Sequence, residues 1–172
     1  MRVAVIGAGL SGLVCASDLL AAGHDVVVFE KSRGLGGRIA SRRVDETVVD
    51  HGMPVFWSSG PLRDVADALP EAPTEISLPV GDASGDRDRG GRPWAYPEGL
   101  TRLAKQMASD IDVRRSVRIA TIRLLESEIE VGDEQGNGQG SFDRLVVSAP
   151  APQSADLLDG VDGESARVRR LR

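Results

Sequence analysis

The chain has 172 residues, enough for one domain with a substantial core or for one domain with a small appendage. Hydrophobic residues make up 41% and charged residues 27%, a globular balance that excludes wholesale disorder. A net charge of −5 leaves no basic face evident for phosphate backbones, so a small-molecule partner is expected and nucleic acid is not.

Residues 3–6, Val-Ala-Val-Ile, are a continuous apolar run ended by Gly7, the pattern of a strand buried on both faces of a parallel sheet. Leu10, Leu13, Val14, Ala16, Leu19 and Leu20 then keep the helical period up to Gly23. Val26 to Phe29 predicts a second buried strand, closed by Glu30. The N-terminal apolar run is too short for a signal peptide, and no window reaches the ~18 apolar residues of a membrane span, so a soluble, cytoplasmic protein is expected. The single cysteine, Cys15, excludes an internal disulfide and a metal cluster, and reads as a small buried hydrophobe among the helix leucines.

Lys31 to Arg43 is basic and glycine-bearing, and Val48-Val49-Asp50-His51-Gly52 predicts a short strand and turn. Residues 58–92, rich in Pro, Gly, Asp and Ser, read as a mobile connection. Leu100, Leu103, Ala104 and Met107 share one face of a helix predicted over 100–108. Strands are predicted at 111–113, 117–119 with 122–124, 129–131 and 142–147, with a turn at Gly136-Asn137-Gly138: a β-meander followed by a buried strand. The tail after Pro152 contains Leu157-Leu158, ends in Arg167, Arg169, Arg170 and Arg172, and reads as a frayed, solvated end.

Chemistry enters at Gly7-Ala8-Gly9-Leu10-Ser11-Gly12, a G-x-G-x-x-G set between a buried strand and a helix. Gly7 serves the tight turn, Gly9 the close approach of a pyrophosphate, and Gly12 the packing of helix on strand, while Leu10 and Ser11 open the helix whose N-terminus faces the anion. Glu30 stands where a carboxylate holds adenosine ribose hydroxyls, with Lys31 beside it, and its charge disfavours a 2′-phosphate. That leaves NAD and FAD. The following block, with Gly36 and Gly37 for a second close approach and Arg38 as a fork for phosphate, favours FAD; the competing reading is a solvated basic loop. His51 is either a general base or a structural residue beside a turn, and His24 is structural. Trp57, Trp94 and Tyr96 line a substrate pocket or pack a core, and no hydrolase triad or metal-ligand spacing is present.

The N-terminal run through Gly12, followed by Phe29-Glu30-Lys31-Ser32-Arg33-Gly34-Leu35-Gly36-Gly37-Arg38, resembles the flavin-containing amine oxidase superfamily. Asp50-His51-Gly52 with Phe56, Tyr96-Pro97-Glu98-Gly99-Leu100, and Val147-Ser148-Ala149-Pro150-Ala151-Pro152 are similar to its renalase-like branch, although Met53-Pro54 stands where that branch more usually has Ala-Gln. The resemblance implies an α/β, Rossmann-like FAD/NAD(P)-binding domain with a β-meander and an abbreviated α+β substrate-side insertion. Its nucleotide-binding parts would be residues 1–50 and 111–160 of one 172-residue domain, with a truncated insertion at 51–110. It implies noncovalent FAD, with Glu30 on the adenosine ribose and Arg38 and the Gly36-Gly37 backbone along the pyrophosphate and ribityl chain. Main-chain groups of Ile119 would hold the adenine, Ala149 and Pro150 would close over the nucleotide, and Gly52 would approach the flavin ring. The implied reaction moves a hydride from an amine or a dihydronicotinamide such as NAD(P)H to FAD and passes electrons to oxygen. Members of the superfamily run roughly as long again beyond the counterpart of Arg172, so a second polypeptide or another copy of the chain is expected to complete the substrate side. Two alternatives stay open: a truncated or split-gene nucleotide-binding module without turnover, and an NAD-dependent Rossmann reductase.

Overall fold

The computed structural model describes residues 1–57, 61–77, 92–159 and 161. Strand β1 (Arg2–Ile6), helix α1 (Leu10–Ala21) and strand β2 (Asp25–Glu30) form the expected opening unit. Gly23, at φ +80°, ends α1 with its N–H donating to the Leu20 carbonyl at 2.9 Å. A 3₁₀ turn (Gly37–Ile39) leads to the hairpin β3 (Ser41–Val44) and β4 (Thr47–Asp50). Then come β5 (Phe56–Trp57), α2 (Pro61–Asp67), β6 (Thr74–Glu75), β7 (Pro93–Ala95) and α3 (Thr101–Met107). The chain continues through β8 (Asp112–Arg115), β9 (Ile119–Leu124), β10 (Ile129–Asp133), β11 (Gly138–Phe142), β12 (Arg144–Val147) and α4 (Ala151–Leu158).

The central sheet is parallel, in the order β12-β1-β2-β8. Side chains alternate across a strand, and here both faces are covered, which is why β1 and β2 are apolar without interruption. Val5, Val26 and Val28 enter one cluster with Leu13, Ala16, Leu103 and Ala104 from α1 and α3. Ala4, Ile6, Val27 and Phe29 point the other way, against Ile119, Ile122, Val131 and Phe142 of the meander β9-β10-β11. Phe29 and Phe142 meet edge to face at 5.9 Å.

Four expectations need correction. The apolar run at 142–147 is two strands: Phe142 ends the meander and Arg144 starts the parallel edge. Asp143 makes the corner, its carboxylate accepting the Arg2 N–H at 2.6 Å while its own N–H donates to the Arg2 carbonyl at 2.8 Å. The strand predicted at 111–113 lies at 112–115 and pairs with β2 as the other edge of the parallel sheet, outside the meander. The connection at 58–92 contains α2 and β6; its residues 58–60 and 78–91 lie outside the described residues. The tail folds as α4 through Leu158, and the arginine run at its end is outside the described residues.

A polar network seats the β3-β4 hairpin on the start of α3. The Asp50 carboxylate accepts the Ser41 hydroxyl at 2.5 Å and the Leu100 N–H at 2.9 Å, and Ser41 Oγ accepts the Thr101 N–H at 2.9 Å. Among the described residues no helix is long and apolar enough to cross a membrane.

Candidate nucleotide-binding site

Gly7 follows β1 at φ +107°, its N–H donating to the Phe29 carbonyl at 2.8 Å, so the turn between β1 and α1 is tied to the end of β2. A side chain on Gly12 would collide with the Gly7 carbonyl, which is the close helix-to-strand packing expected of the third glycine. Gly9 caps α1 without a side-chain hydrogen bond, and no acidic residue stands in the first turn. The free N–H groups and positive end of this 12-residue helix are therefore left for an anion from outside the chain.

Glu30 is buried at the end of β2, only 7% exposed. Its Oε2 accepts the Ala8 N–H at 2.9 Å and its Oε1 the Ser32 N–H at 2.7 Å. A carboxylate has about four acceptor positions, so the two backbone donors orient the group and leave acceptor capacity for ligand hydroxyls. The loop carrying Ser32 is itself held: Val117 N–H donates to the Glu30 carbonyl at 3.0 Å, and Ser116 N–H to the Ser32 carbonyl at 3.1 Å.

A second glycine turn docks on the first. Gly36 N–H donates to the Ala8 carbonyl at 2.9 Å, and Gly9 and Gly36 form a parallel bridge. Gly36 at φ +100° and Gly37 at φ +55° occupy the left-handed region that favours glycine. Gly52 is fixed by contact, since a side chain there would strike the Arg38 carbonyl, which also accepts the Met53 N–H at 3.0 Å. The exposed Arg38 side chain makes no ion pair among the described residues.

These elements surround one cavity of about 760 Å³, within the size range of small-molecule and cofactor sites. Every residue nominated for cofactor binding lines it: Gly7, Gly9, Leu10, Ser11, Gly12, Glu30, Lys31, Gly36, Gly37, Arg38, Gly52, Ile119, Ala149 and Pro150. Sequence reasoning missed apolar walls from Ile6, Phe29, Ile39, Met53, Leu62, Val117 and Leu157, and polar positions at Ser32, Arg118, Ser148 and Gln153. Phe29 and Val117 were accessible as residues at strand ends, where α/β sheets bind ligands. Ser148 was not. Its hydroxyl lies 3.0 Å from the Ile6 carbonyl and 3.1 Å from that of Gly7, in the space left because Gly7 and Gly12 have no side chains.

The other nominated residues lie elsewhere. His51 is exposed past β4 and does not line the cavity, and His24 sits in the turn after α1, its N–H donating to the Leu19 carbonyl at 3.0 Å. Cys15 is half-buried rather than sealed in the core. Trp57, Trp94 and Tyr96 are also outside the cavity lining. Trp94 lies under the Arg63 guanidinium at 4.0 Å, and Tyr96 is buried with its hydroxyl donating to the Glu71 carbonyl at 3.1 Å. Burial pushes the Tyr96 phenol above its ordinary value, and the Arg102 guanidinium holds the exposed Glu71 carboxyl below the usual carboxylate range.

Residues 5–69 match the family model described as NAD(P)-binding Rossmann-like domain. Over 68 residues, 40% of this chain, there is 37% identity with a 4,4′-diapophytoene desaturase (4,4′-diaponeurosporene-forming) of Staphylococcus aureus strain Newman, and the aligned stretch is 14% of that protein. Among solved structures, putrescine oxidase bound to putrescine matches with a TM-score of 0.75 at 15% identity, over 99% of this chain and 63% of that one. The CLA-producing fatty acid isomerase from P. acnes matches with a TM-score of 0.72 at 15% identity, over 98% of this chain and 62% of that one. The chain thus spans under two thirds of the solved structures and a small part of the curated relative. It has a Rossmann-like dinucleotide-binding fold, shared with putrescine oxidase.

Proposed function

We propose that this chain is the FAD-binding part of an FAD-dependent oxidoreductase of the amine-oxidase kind, in its renalase-like branch. The observation that carries the reading is the docking of the second glycine turn on the first at Gly9–Gly36, which extends one cradle from the buried Glu30 carboxylate to Arg38. The residues present fit the cofactor: a pre-oriented carboxylate, a helix N-terminus without a side-chain cap, two glycine turns, and an arginine that makes no ion pair among the described residues.

Glu30 would accept the adenosine ribose hydroxyls, with Lys31 beside it. The N-terminus of α1, with Gly7, Gly9, Leu10, Ser11 and Gly12, would take the pyrophosphate, and Gly36, Gly37 and Arg38 the next stretch. Ile119 would hold the adenine with Ala149 and Pro150 over the nucleotide, and Gly52 would lie toward the flavin. When bound, FAD supplies hydride acceptance and onward electron transfer to oxygen. The chain's own contribution is to bind and orient it and to exclude water with Ile6, Phe29, Ile39 and Leu62. The hydride donor is an amine or a dihydronicotinamide, and the setting is the cytoplasm. The desaturase relative supports the oxidoreductase class without choosing the substrate.

The test is the visible spectrum of the purified chain from 300 to 550 nm, before and after incubation with excess FAD and removal of the unbound fraction. Retained flavin bands that bleach anaerobically on addition of NADH, NADPH or a diamine are expected. A folded protein that retains no flavin overturns the reading, and one that then holds only ADP-ribose is a partial nucleotide module.

A further inference from the structure

Helix α4 packs on β9 and sends Gln153 and Leu157 into the lining of the cavity, beside Pro150. Its start is rigidly set. Ser154 is buried, its N–H donates to the Pro150 carbonyl and its hydroxyl to the Ala149 carbonyl, both at 2.9 Å. The residue just before it, Gln153, has its backbone set by that turn while its side chain is exposed. Its Oε1 accepts the Lys31 ammonium at 2.9 Å, a bond spanning 122 positions of sequence. Lys31 follows Glu30, whose carboxylate is locked by Ala8 and Ser32. The Lys31–Gln153 bond therefore joins the end of β2 to the first turn of α4, two elements that both line the cavity.

The chemistry of the two groups suits a bound nucleoside. Among the described residues, the remaining Lys31 protons and the Gln153 amide N–H₂ have no other partner, so both can donate to ribose oxygens or ring nitrogens while Glu30 accepts ribose hydroxyls. Val117, Ile119 and Leu157 supply an apolar surface for a base.

We infer that Lys31 and Gln153 form a latch over the adenosine end of the cavity, making Gln153 a nucleotide-positioning residue and α4 the strap it fastens. The inference rests on the nucleotide-binding reading above and does not need the flavin. Both groups donate to the nucleoside once it is bound, so their loss acts on the dissociation rate more than on association.

The experiment measures dissociation of ADP-ribose and, separately, of FAD by stopped-flow, using the full chain and its Lys31→Met, Gln153→Leu, Lys31→Met/Gln153→Leu and Gln153→Glu variants. Each of the first two is expected to speed ADP-ribose release three- to tenfold with an unchanged thermal midpoint, and the double variant to go no further than the worse single one. Gln153→Glu restores slow release, because a carboxylate on the same helix position accepts the same ammonium. Additive effects in the double variant, or singles indistinguishable from the parent, overturn the latch. Slow ADP-ribose release that responds as described in a chain that retains no FAD sinks the flavin reading and leaves the latch standing. A chain that binds neither compound overturns both.

Discussion

The two ends of α1 and α3 show two ways of holding a chain together. At the N-terminus of α1 the arrangement is made of backbone: Gly12 and Gly52 lie against carbonyls, Gly7 and Gly36 donate to the Phe29 and Ala8 carbonyls, Gly9 bridges to Gly36, and a buried carboxylate, Glu30, is held by amide donors. At the N-terminus of α3 it is made of side chains: Ser41, Asp50 and Thr101 exchange hydrogen bonds that seat a hairpin on a helix. Backbone cradles leave donors pointing outward, whereas the side-chain network consumes its own. The difference separates a surface built to receive a ligand from one built to hold position.

Substitutions sharpen this contrast, and the largest effect is expected at Gly12. Gly12→Val puts a branched side chain onto the Gly7 carbonyl, so destabilisation at or above the top of the ~1–3 kcal/mol seen for overpacking is expected, with loss of nucleotide binding. Urea denaturation with a parallel ADP-ribose titration measures both; a variant with the parent's midpoint and affinity would show that the helix is free to back away from the turn. Next comes a crossed pair. Glu30→Gln sets an amide N–H₂ against one of the two backbone donors, and is expected to weaken ADP-ribose binding ten- to a hundredfold, in line with the ~1.5–3 kcal/mol of a hydrogen bond to a charged group. Asp50→Ala takes the acceptor from the Ser41 hydroxyl proton and from the Leu100 N–H, and is expected to cost ~1–3 kcal/mol of stability while ADP-ribose affinity moves less than threefold. If the two variants shift stability and affinity in the same ratio, the two ends of the molecule are not functionally distinct.

A smaller effect separates the cradle from its neighbour β12. Ser148→Ala removes a hydroxyl that bonds the Ile6 or Gly7 carbonyl, and an expected loss of ~0.5–1.5 kcal/mol should appear in the thermal midpoint. Were the alanine variant as stable as the parent, the strand order alone would be holding β12 against the glycine turn.

How much of this was legible in the residues follows the same division. The two glycine turns from Gly7 to Gly37 and Glu30 could be read directly, because close main-chain approach admits few residue types and these glycines fall within 30 positions of one another, whereas Gly52 was placed only by the resemblance. The break between β11 and β12 could not be read directly, because Phe142 to Val147 carries neither glycine nor proline and the corner at Asp143 is tied by its pairing with Arg2, 141 positions away. The start of α4 was hidden by Pro150 and Pro152, which read as breakers but are tolerated in a first helical turn. Ser148 and Gln153 find partners 142 and 122 positions earlier, and nothing local marks a polar side chain for so distant a bond.

The meander offers the finest test, since it roofs the cavity through Ile119 yet carries its own side-chain anchor. Asp133 is buried at the end of β10; burial alone would raise its carboxyl, but the backbone and side chain of Asn137, the side chain of Gln139 and the backbone of Gln135 all donate to it and hold it below the usual carboxylate range. A group lowered in the folded state contributes stability that is fully present above its unfolded value, about 3.9 for aspartate, and that is lost as pH falls through the folded value. The expected outcome is local: on acidification below that unfolded value, the amides of Gln135 and Asn137, which donate to Asp133 at 3.0 and 2.8 Å, lose hydrogen-exchange protection before the Leu13 amide in α1 does. Asp133→Asn should lower the protection of both turn amides at neutral pH and abolish the acid step. Simultaneous loss at all three amides in the parent would mean that roof and cradle open as one unit, and that the two kinds of construction in this chain do not divide it into parts that fail separately.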